Sequence, residues 1–293
     1  DSVHLTGLLL KKWTGLPWVA DFRDQWTTNI LHRKKFSSPA VYRINQYMEK
    51  SVLQSADLVL ANTPTNAQNL LDHYQFLSPD RIKVLPNGFE GDPEPDASPA
   101  STGGPLRLQY NGMAYKGMLD GFWQGLEQLK SISPSSFEQV ELQVIGWLNE
   151  EDKHRAESLG LEPRLIHEGP VSRRESVNRM KDCDVLLYAV PDQPGGEGWV
   201  PSKLYAYLAS GKPILSLAPG GDATRLVEKA QAGWPVSPSD AIAVARILIK
   251  LLDKKRQGVL AVERNLNTIK NYNRRALTGC LAEYLKQLNP HPA

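Results

Sequence analysis

Between Glu197 and Leu215 the chain reads EGWVPSKLYAYLASGKPIL, and three of its polar residues have types and spacing suited to chemistry. Lys203 supplies a point charge, Ser202 a hydroxyl where the pattern predicts a helix to begin, and Glu197 a carboxylate just upstream. The residues before them, DQPGG, are rich in glycine, which lets backbone amides approach a ligand closely. A helix N-terminus exposes N–H groups and the positive end of its dipole, so this loop-to-helix entry predicts a seat for phosphate. Gly211 and Pro213 then stop the helix. The plainer alternative is a surface loop with Ser202 as an ordinary N-cap. The residues alone leave both open.

Two other stretches are chemically suggestive. YNGMAYKG, Tyr110 to Gly117, follows a predicted strand, and there Gly112 permits close approach while Lys116 can reach a phosphate. It is not a P-loop, because Met118 and Leu119 stand where Lys and Ser/Thr belong, and no GxGxxG occurs to suggest a nicotinamide or flavin. ADFRDQW places Asp21, Arg23 and Asp24 directly after another predicted strand. Carboxylates beside an arginine can orient a hydroxyl-bearing acceptor or serve as a base. A structural ion pair at a strand end accounts for them equally well. The six histidines show no metal-ligand spacing, His73, His154 and His291 read as exposed, and GxSxG is absent.

What must position these residues is an α/β scaffold. Apolar runs alternate with helix-like patterns, the signature of βα units on parallel sheets. The first part predicts a helix over 3–14, a strand over 17–22, a helix over 39–54 carrying Val41, Ile44, Tyr47, Met48 and Val52 on one face, a strand DLVLAN, a helix capped by Thr63 or Thr65, and the strand RIKVLPNGF. GDPEPDASPASTGGP, 91–105, reads as an exposed linker. Beyond it strands are predicted in LRLQYNG, QVELQVIG, RLIHEGPV, DVLLYAVP, PILSLA and WPVS. Helices lie between them, and two more close the chain over 239–254 and 260–288, the last broken near Asn271. Residues 93–259 therefore form a complete doubly wound domain, 1–92 a smaller one, and 260–293 a terminal helix. The first part has too few strands for a full domain of this type and starts inside a helix, so its N-terminal portion is expected to be absent from this chain.

Composition narrows the function. A net charge of +2 on 293 residues, with basic residues scattered, argues against nucleic acid as a partner. Lys11-Lys12 and Arg33-Lys34-Lys35 read as solvated faces, with peripheral contact at an anionic membrane surface as the minority reading. Cys183 and Cys280 alone make no disulfide framework and fit a reducing cytoplasm.

Taken in order, HLTGLLLKKWTGLPWVADFRDQW, ADLVLANT, RIKVLPNGF, EGWVPSKLYAYLASGKPIL and the closing helices resemble a GT-B glycosyltransferase of the family 4 type. The resemblance covers nearly the whole chain, and PSKLY-x-YLASGKP is its most specific part. It implies two Rossmann-like domains, a nucleotide-sugar donor held by the C-terminal one, and a glycan or lipid-linked acceptor on the N-terminal side. The expected chemistry is transfer with retention, without metal or cofactor, in polysaccharide biosynthesis at the cytoplasmic face. Carried over, Gly112 and Lys116 line the donor diphosphate, Gly146 and Val171 lie near the base, and Glu197, Gly198 and Trp199 contact sugar and phosphates. Ser202 and Lys203 stand at the helix start, and Asp21, Arg23 and Asp24 fall on the acceptor side. Glu197, Lys203 and Lys116 are the residues expected to act in catalysis. Two positions depart from the family pattern: Ala206 replaces a glutamate that bonds the ribose hydroxyls, and Met113 stands near the place of an arginine. The alternative is a silent GT-B relative that binds a glycan or a partner.

Overall fold

The structure, a computed structural model, describes residues 2–27, 38–96 and 102–288. Arg33, Lys34, Lys35, His291 and the middle of the 91–105 stretch lie outside the described residues. In chain order the first elements are α1 (Ser2–Thr14), β1 (Val19–Phe22), α2 (Pro39–Ser55), β2 (Leu58–Ala61), α3 (Pro64–His73) and β3 (Ile82–Val84). Then come β4 (Leu106–Ala114), α4 (Asp120–Ile132), the one-turn α5 (Pro134–Phe137), β5 (Val140–Leu148), α6 (Glu150–Leu159) and β6 (Leu165–Glu168). They are followed by α7 (Arg173–Arg179), β7 (Val185–Ala189), α8 (Ser202–Ala209), β8 (Ile214–Leu217), α9 (Asp222–Lys229) and β9 (Gly233–Val236). The chain closes with α10 (Ala241–Arg256), α11 (Leu266–Lys270) and α12 (Arg274–Leu288).

The chain divides into two compact units. The first comprises Asp1–Gly88, Gly198–Val200 and Tyr272–Ala293, and the second Phe89–Glu197 and Pro201–Asn271. In the first, β1, β2 and β3 form a parallel sheet in that order. Alternation along β2 decides what covers each face. Val59 and Ala61 join Leu8, Val52, Leu53, Ala67 and Leu70 on the helix-covered side. Leu58 and Leu60 meet Leu277, Leu281, Tyr284 and Leu288, one stripe of α12, on the other. Helix starts follow local chemistry: Ser38 and Thr63 cap α2 and α3 by accepting from the Val41 and Asn66 N–H groups, each ahead of a proline. Lys11 spends its charge on Asp57 at 2.6 Å, so the Lys11-Lys12 pair is not a free basic patch.

In the second unit six parallel strands run in the order β6-β5-β4-β7-β8-β9, the doubly wound arrangement. Its central strands are buried on both faces, as every residue of Val185–Ala189 is. Two predicted features differ. The segment 260–265 is not helical, because Arg264 is fully buried there, donating to Leu208 O and Glu94 O and pairing with Asp96 at 2.6 Å. The same contacts fasten the first half of the expected linker to this unit. The helix begins only at Asn265, which caps α11.

Lys255 makes a second buried knot. Its ammonium lies 2.5 Å from Asp184 Oδ2 and 2.6 Å from Pro105 O, and the same Asp184 Oδ2 accepts from the Arg107 N–H at 2.8 Å. The last turn of α10 is thereby tied to the beginnings of β4 and β7. Lys255→Met strands a buried carboxylate and is expected to lower stability by about 3 kcal/mol. A urea midpoint measures this, and the exposed neighbour change Arg256→Met should move it by less than about 1 kcal/mol.

Candidate functional site

In this strand order the crossovers change face between β4 and β7, which opens a crevice beyond the carboxyl ends of those strands. A cleft of about 340 Å³ occupies that position. The segments after β4, β7 and β9 and the end of β8 line it, with Lys116, Gly117, Pro191, Gln193, Leu217 and Ser239 among its walls.

Beside it, α8 is fastened across the end of β4. The Lys203 ammonium donates to the Tyr110 hydroxyl at 2.5 Å and lies 3.9 Å from the centre of that ring. Tyr110 in turn donates to Met113 O at 2.9 Å. One helical turn on, the Tyr207 hydroxyl accepts from the Asn111 N–H at 2.8 Å. The Asn111 side chain reaches α7 through Ser176 Oγ at 2.7 Å. Lys203 as a whole is only partly buried, yet the protein packed around its ammonium brings its pKa down to about 7. Burial pushes the Tyr110 and Tyr207 hydroxyls up, so both stay neutral. A charge held this way, with no acid among the causes of its shift, is ready to be met by an anion.

Gly112 and Gly146 face each other in register at the ends of β4 and β5. Gly146 has φ +135°, and a Cβ there would lie 2.3 Å from Gly112 O, so only glycine permits this approach. His167 Nε2 stands 3.2 Å from Gly146 O. Val171, partly buried, follows β6 and precedes Ser172, the cap of α7. The structure thus gathers Gly112, Gly146 and Lys203 around one strand end.

Other predicted residues are placed differently. Gly112 and Met113 belong to β4, which continues to Ala114, not to a loop; Met113 is exposed. Lys116 lines the cleft but extends into solvent and pairs with Glu151 at 3.0 Å. Ser202 is exposed and is the first residue of α8; Pro201 occupies the cap position and no side chain caps the helix. The alternative of Ser202 as an N-cap is thereby set aside, and no side-chain oxygen occupies the first N–H groups of α8. The Glu197 carboxylate is exposed and accepts from the Gly195 N–H at 2.9 Å. Gly198 and Trp199 group with the first unit, where Thr63 donates to Gly198 O at 3.1 Å; Trp199 is partly buried. In that unit Asp21 and Arg23 pair at 2.9 Å, and Asp24 is exposed beside them. The segment that follows is pinned by α2: Trp26 donates to Asn45 at 2.9 Å, and buried Glu49 accepts from the Thr27 N–H and from Tyr74. Burial pushes the Glu49 carboxyl upward.

Sequence reasoning overlooked Tyr110, Asn111, Tyr207 and His167. Only Tyr207 carried a local signal, its i+4 spacing from Lys203 on a helix. Among the described residues no group of three or more His, Cys, Asp or Glu is arranged to hold a metal ion, and no helix is long and apolar enough to cross a membrane.

Known proteins give this geometry a context. Residues 2–92 match the family model described as Glycosyltransferase Family 4, and residues 118–275 match Glycosyl transferases group 1. The probable glycosyltransferase WbjE of Pseudomonas aeruginosa is 30% identical over 104 residues, a match spanning 35% of this chain and 26% of that curated relative. HepE of Anabaena, solved in complex with UDP-glucose, superposes with a TM-score of 0.69 at 18% identity, over 98% of this chain and 76% of that one. Sucrose-phosphate synthase of Thermosynechococcus elongatus gives 0.68 at 16% identity, over 97% and 71%. At such identities the likeness establishes the fold, two Rossmann-like units of GT-B type. Since the second model alone matches more than half of the residues, the chain belongs to the glycosyl transferases group 1 family and is of the GT-B, family 4 type.

Proposed function

We propose that this protein moves a sugar from a nucleotide-sugar donor to a glycan or lipid-linked acceptor, with retention at the anomeric carbon, on the cytoplasmic side of a membrane. The observation that carries the reading is the family match over 118–275, within which Lys203 stands in the uncapped first turn of α8. The solved complex of HepE with UDP-glucose supports a sugar nucleotide as the donor class.

In this reading the donor diphosphate lies at the start of α8, met by free N–H groups and the Lys203 ammonium. Gly112 and Gly146 leave room for it, Lys116 swings in from Glu151, and Val171 borders the base. Glu197, Gly198 and Trp199 contact the sugar. The bond from the anomeric carbon to the phosphate oxygen breaks as the acceptor oxygen attacks on the same face. The acceptor proton passes to the departing phosphate. Positive charge fixed at the leaving oxygen lowers the barrier, and a donor provided by the protein at such a site is worth about 3 kcal/mol. Asp21, Arg23 and Asp24 orient the acceptor. No metal is part of this scheme.

Thermal-shift titration with UDP, GDP and ADP should reveal stabilisation by at least one of them, reduced about tenfold in affinity by Lys203→Ala. If none stabilises the wild type, the donor-site assignment fails.

Protonation adds a sharper signature. With its pKa near 7 in the free protein, Lys203 is largely neutral at pH 8; a bound diphosphate favours the ammonium and raises that pKa. Binding therefore takes up a proton above pH 7, and affinity falls as pH rises from about 7 toward the pKa of the complex. Calorimetry at pH 8 in buffers of different ionisation enthalpy should give uptake of about 0.9 proton for the stabilising nucleotide and none for Lys203→Met.

Ala206 lies three residues after Lys203 on α8 and is partly exposed. Ala206→Glu should tighten nucleotide binding about fivefold, the worth of one hydrogen bond to a ribose hydroxyl. Unchanged or weaker affinity in a folded variant would contradict the placement of the ribose.

A further inference from the structure

On its way into α8 the chain leaves the second unit for a short strap. Gly198–Val200 group with the first unit, while Glu197 before them and Pro201 after them belong to the second. Glu197 is packed closely where it stands, since a Cβ on Gly221 would lie 2.2 Å from Glu197 O. Pro201 occupies the cap position of α8. Between these two points the strap is held by residues that follow β2 and β3.

Thr63 carries much of that hold, and its hydroxyl has two duties. It accepts from the Asn66 N–H at 3.2 Å, capping α3, and it donates to Gly198 O at 3.1 Å. Thr63 is 1% exposed, so water does not compete for either bond. Asn66 closes the space beside it: a Cβ at 198 would stand 2.3 Å from Asn66 Oδ1 and 3.2 Å from Thr65 Cγ2. Glycine is needed there for room. At the other end of the strap the Asn87 amide lies 3.5 Å from Val200 O, and the Asn87 N–H is fixed by Asn62 Oδ1 at 2.9 Å. Gly198 and Val200 are buried, with the partly buried Trp199 between them.

The start of α8 has anchors of its own in the second unit, Lys203 on Tyr110 and Tyr207 on the Asn111 N–H. Strap and phosphate seat are thus fixed by different residues. We infer that Thr63 is a positioning residue for the sugar of the donor. By holding Gly198 O it sets Gly198 and Trp199 in the conformation that meets the sugar, and it leaves the diphosphate seat alone. The hold on the strap stands on the contacts themselves; its consequence for the sugar rests on the transferase reading above.

Three variants of the full chain separate the two duties of Thr63. Thr63→Asp keeps an acceptor for the Asn66 N–H but cannot donate to Gly198 O; Thr63→Val, neutral and of like shape, does neither; Thr63→Ser does both. The first readout needs no ligand. Fluorine NMR of the fluorotryptophan-labelled protein follows Trp199, assigned with Trp199→Phe, and Trp26, whose bond to Asn45 reports folding of the same unit. The Asp and Val variants should move the Trp199 signal and leave that of Trp26, and the Ser variant should leave both. The second readout is calorimetric affinity for whichever of UDP, GDP and ADP stabilises the wild type, and for its glucose conjugate. The Asp and Val variants should weaken the glucose conjugate about fivefold, the worth of one hydrogen bond, and the free diphosphate less than about twofold, with wild-type values in the Ser variant. A Trp199 signal that stays in place, or moves only together with Trp26, would overturn the hold. Equal weakening of both ligands, weakening of neither, or a Ser variant as weak as the Val variant would overturn the role in placing the sugar. If no nucleotide binds, the donor assignment fails and takes the sugar role with it, while the Trp199 signal still decides the hold.

Discussion

An ammonium group packed against an aromatic ring inside a parallel α/β unit is the constraint around which the second unit is arranged. Lys203 is held by the Tyr110 hydroxyl at 2.5 Å and by the face of its ring. Withdrawing a cation from water costs several kcal/mol, of which a cation–π contact and one neutral acceptor return about 1–3 kcal/mol. The remainder appears as the pKa near 7. Such an arrangement persists only if neighbouring packing fixes it, and here it does. Tyr110, Tyr188, Tyr205 and Tyr207 are all buried around it, and Tyr207 is bonded to the β4 backbone. The strand, the helix and the charge are one assembly.

The neighbouring glycines belong to the same logic. A side chain at 146 would collide with the Gly112 carbonyl, and the ends of β4 and β5 would separate. With glycine at both positions the strands stay paired to Ala114 and Leu148, and the sheet presents bare backbone at its functional end. Rigidity of the sheet and room for a ligand thus come from the same two residues. The first unit uses the device once more at Gly88, where a missing side chain lets α12 come close to the turn after β3.

Much of this was legible in the sequence. Runs such as DVLLYAVP read as strands because central parallel strands are apolar on both faces, and every residue of Val185–Ala189 is buried. What stayed hidden were relations between distant residues. Nothing local tells Lys203 that Tyr110, 93 positions away, will accept its hydrogen bond, or Arg264 that it will bond the carbonyls of Glu94 and Leu208. The stretch 110–117 read as a loop, but pairing with β5 carries the strand on to Ala114. At 260–265 the helical pattern yielded to the buried arginine.

Ala206 ties these threads together. Position 206, three residues after Lys203 on α8, is alanine, and the downward shift of Lys203 has burial as its cause. The lysine is left to find its counter-charge in whatever binds at the start of α8. A diphosphate there would satisfy the uncapped N–H groups and the ammonium in a single step. In the reading proposed above, where no glutamate at 206 meets the ribose, recognition concentrates on the phosphates and on the protonation state of Lys203.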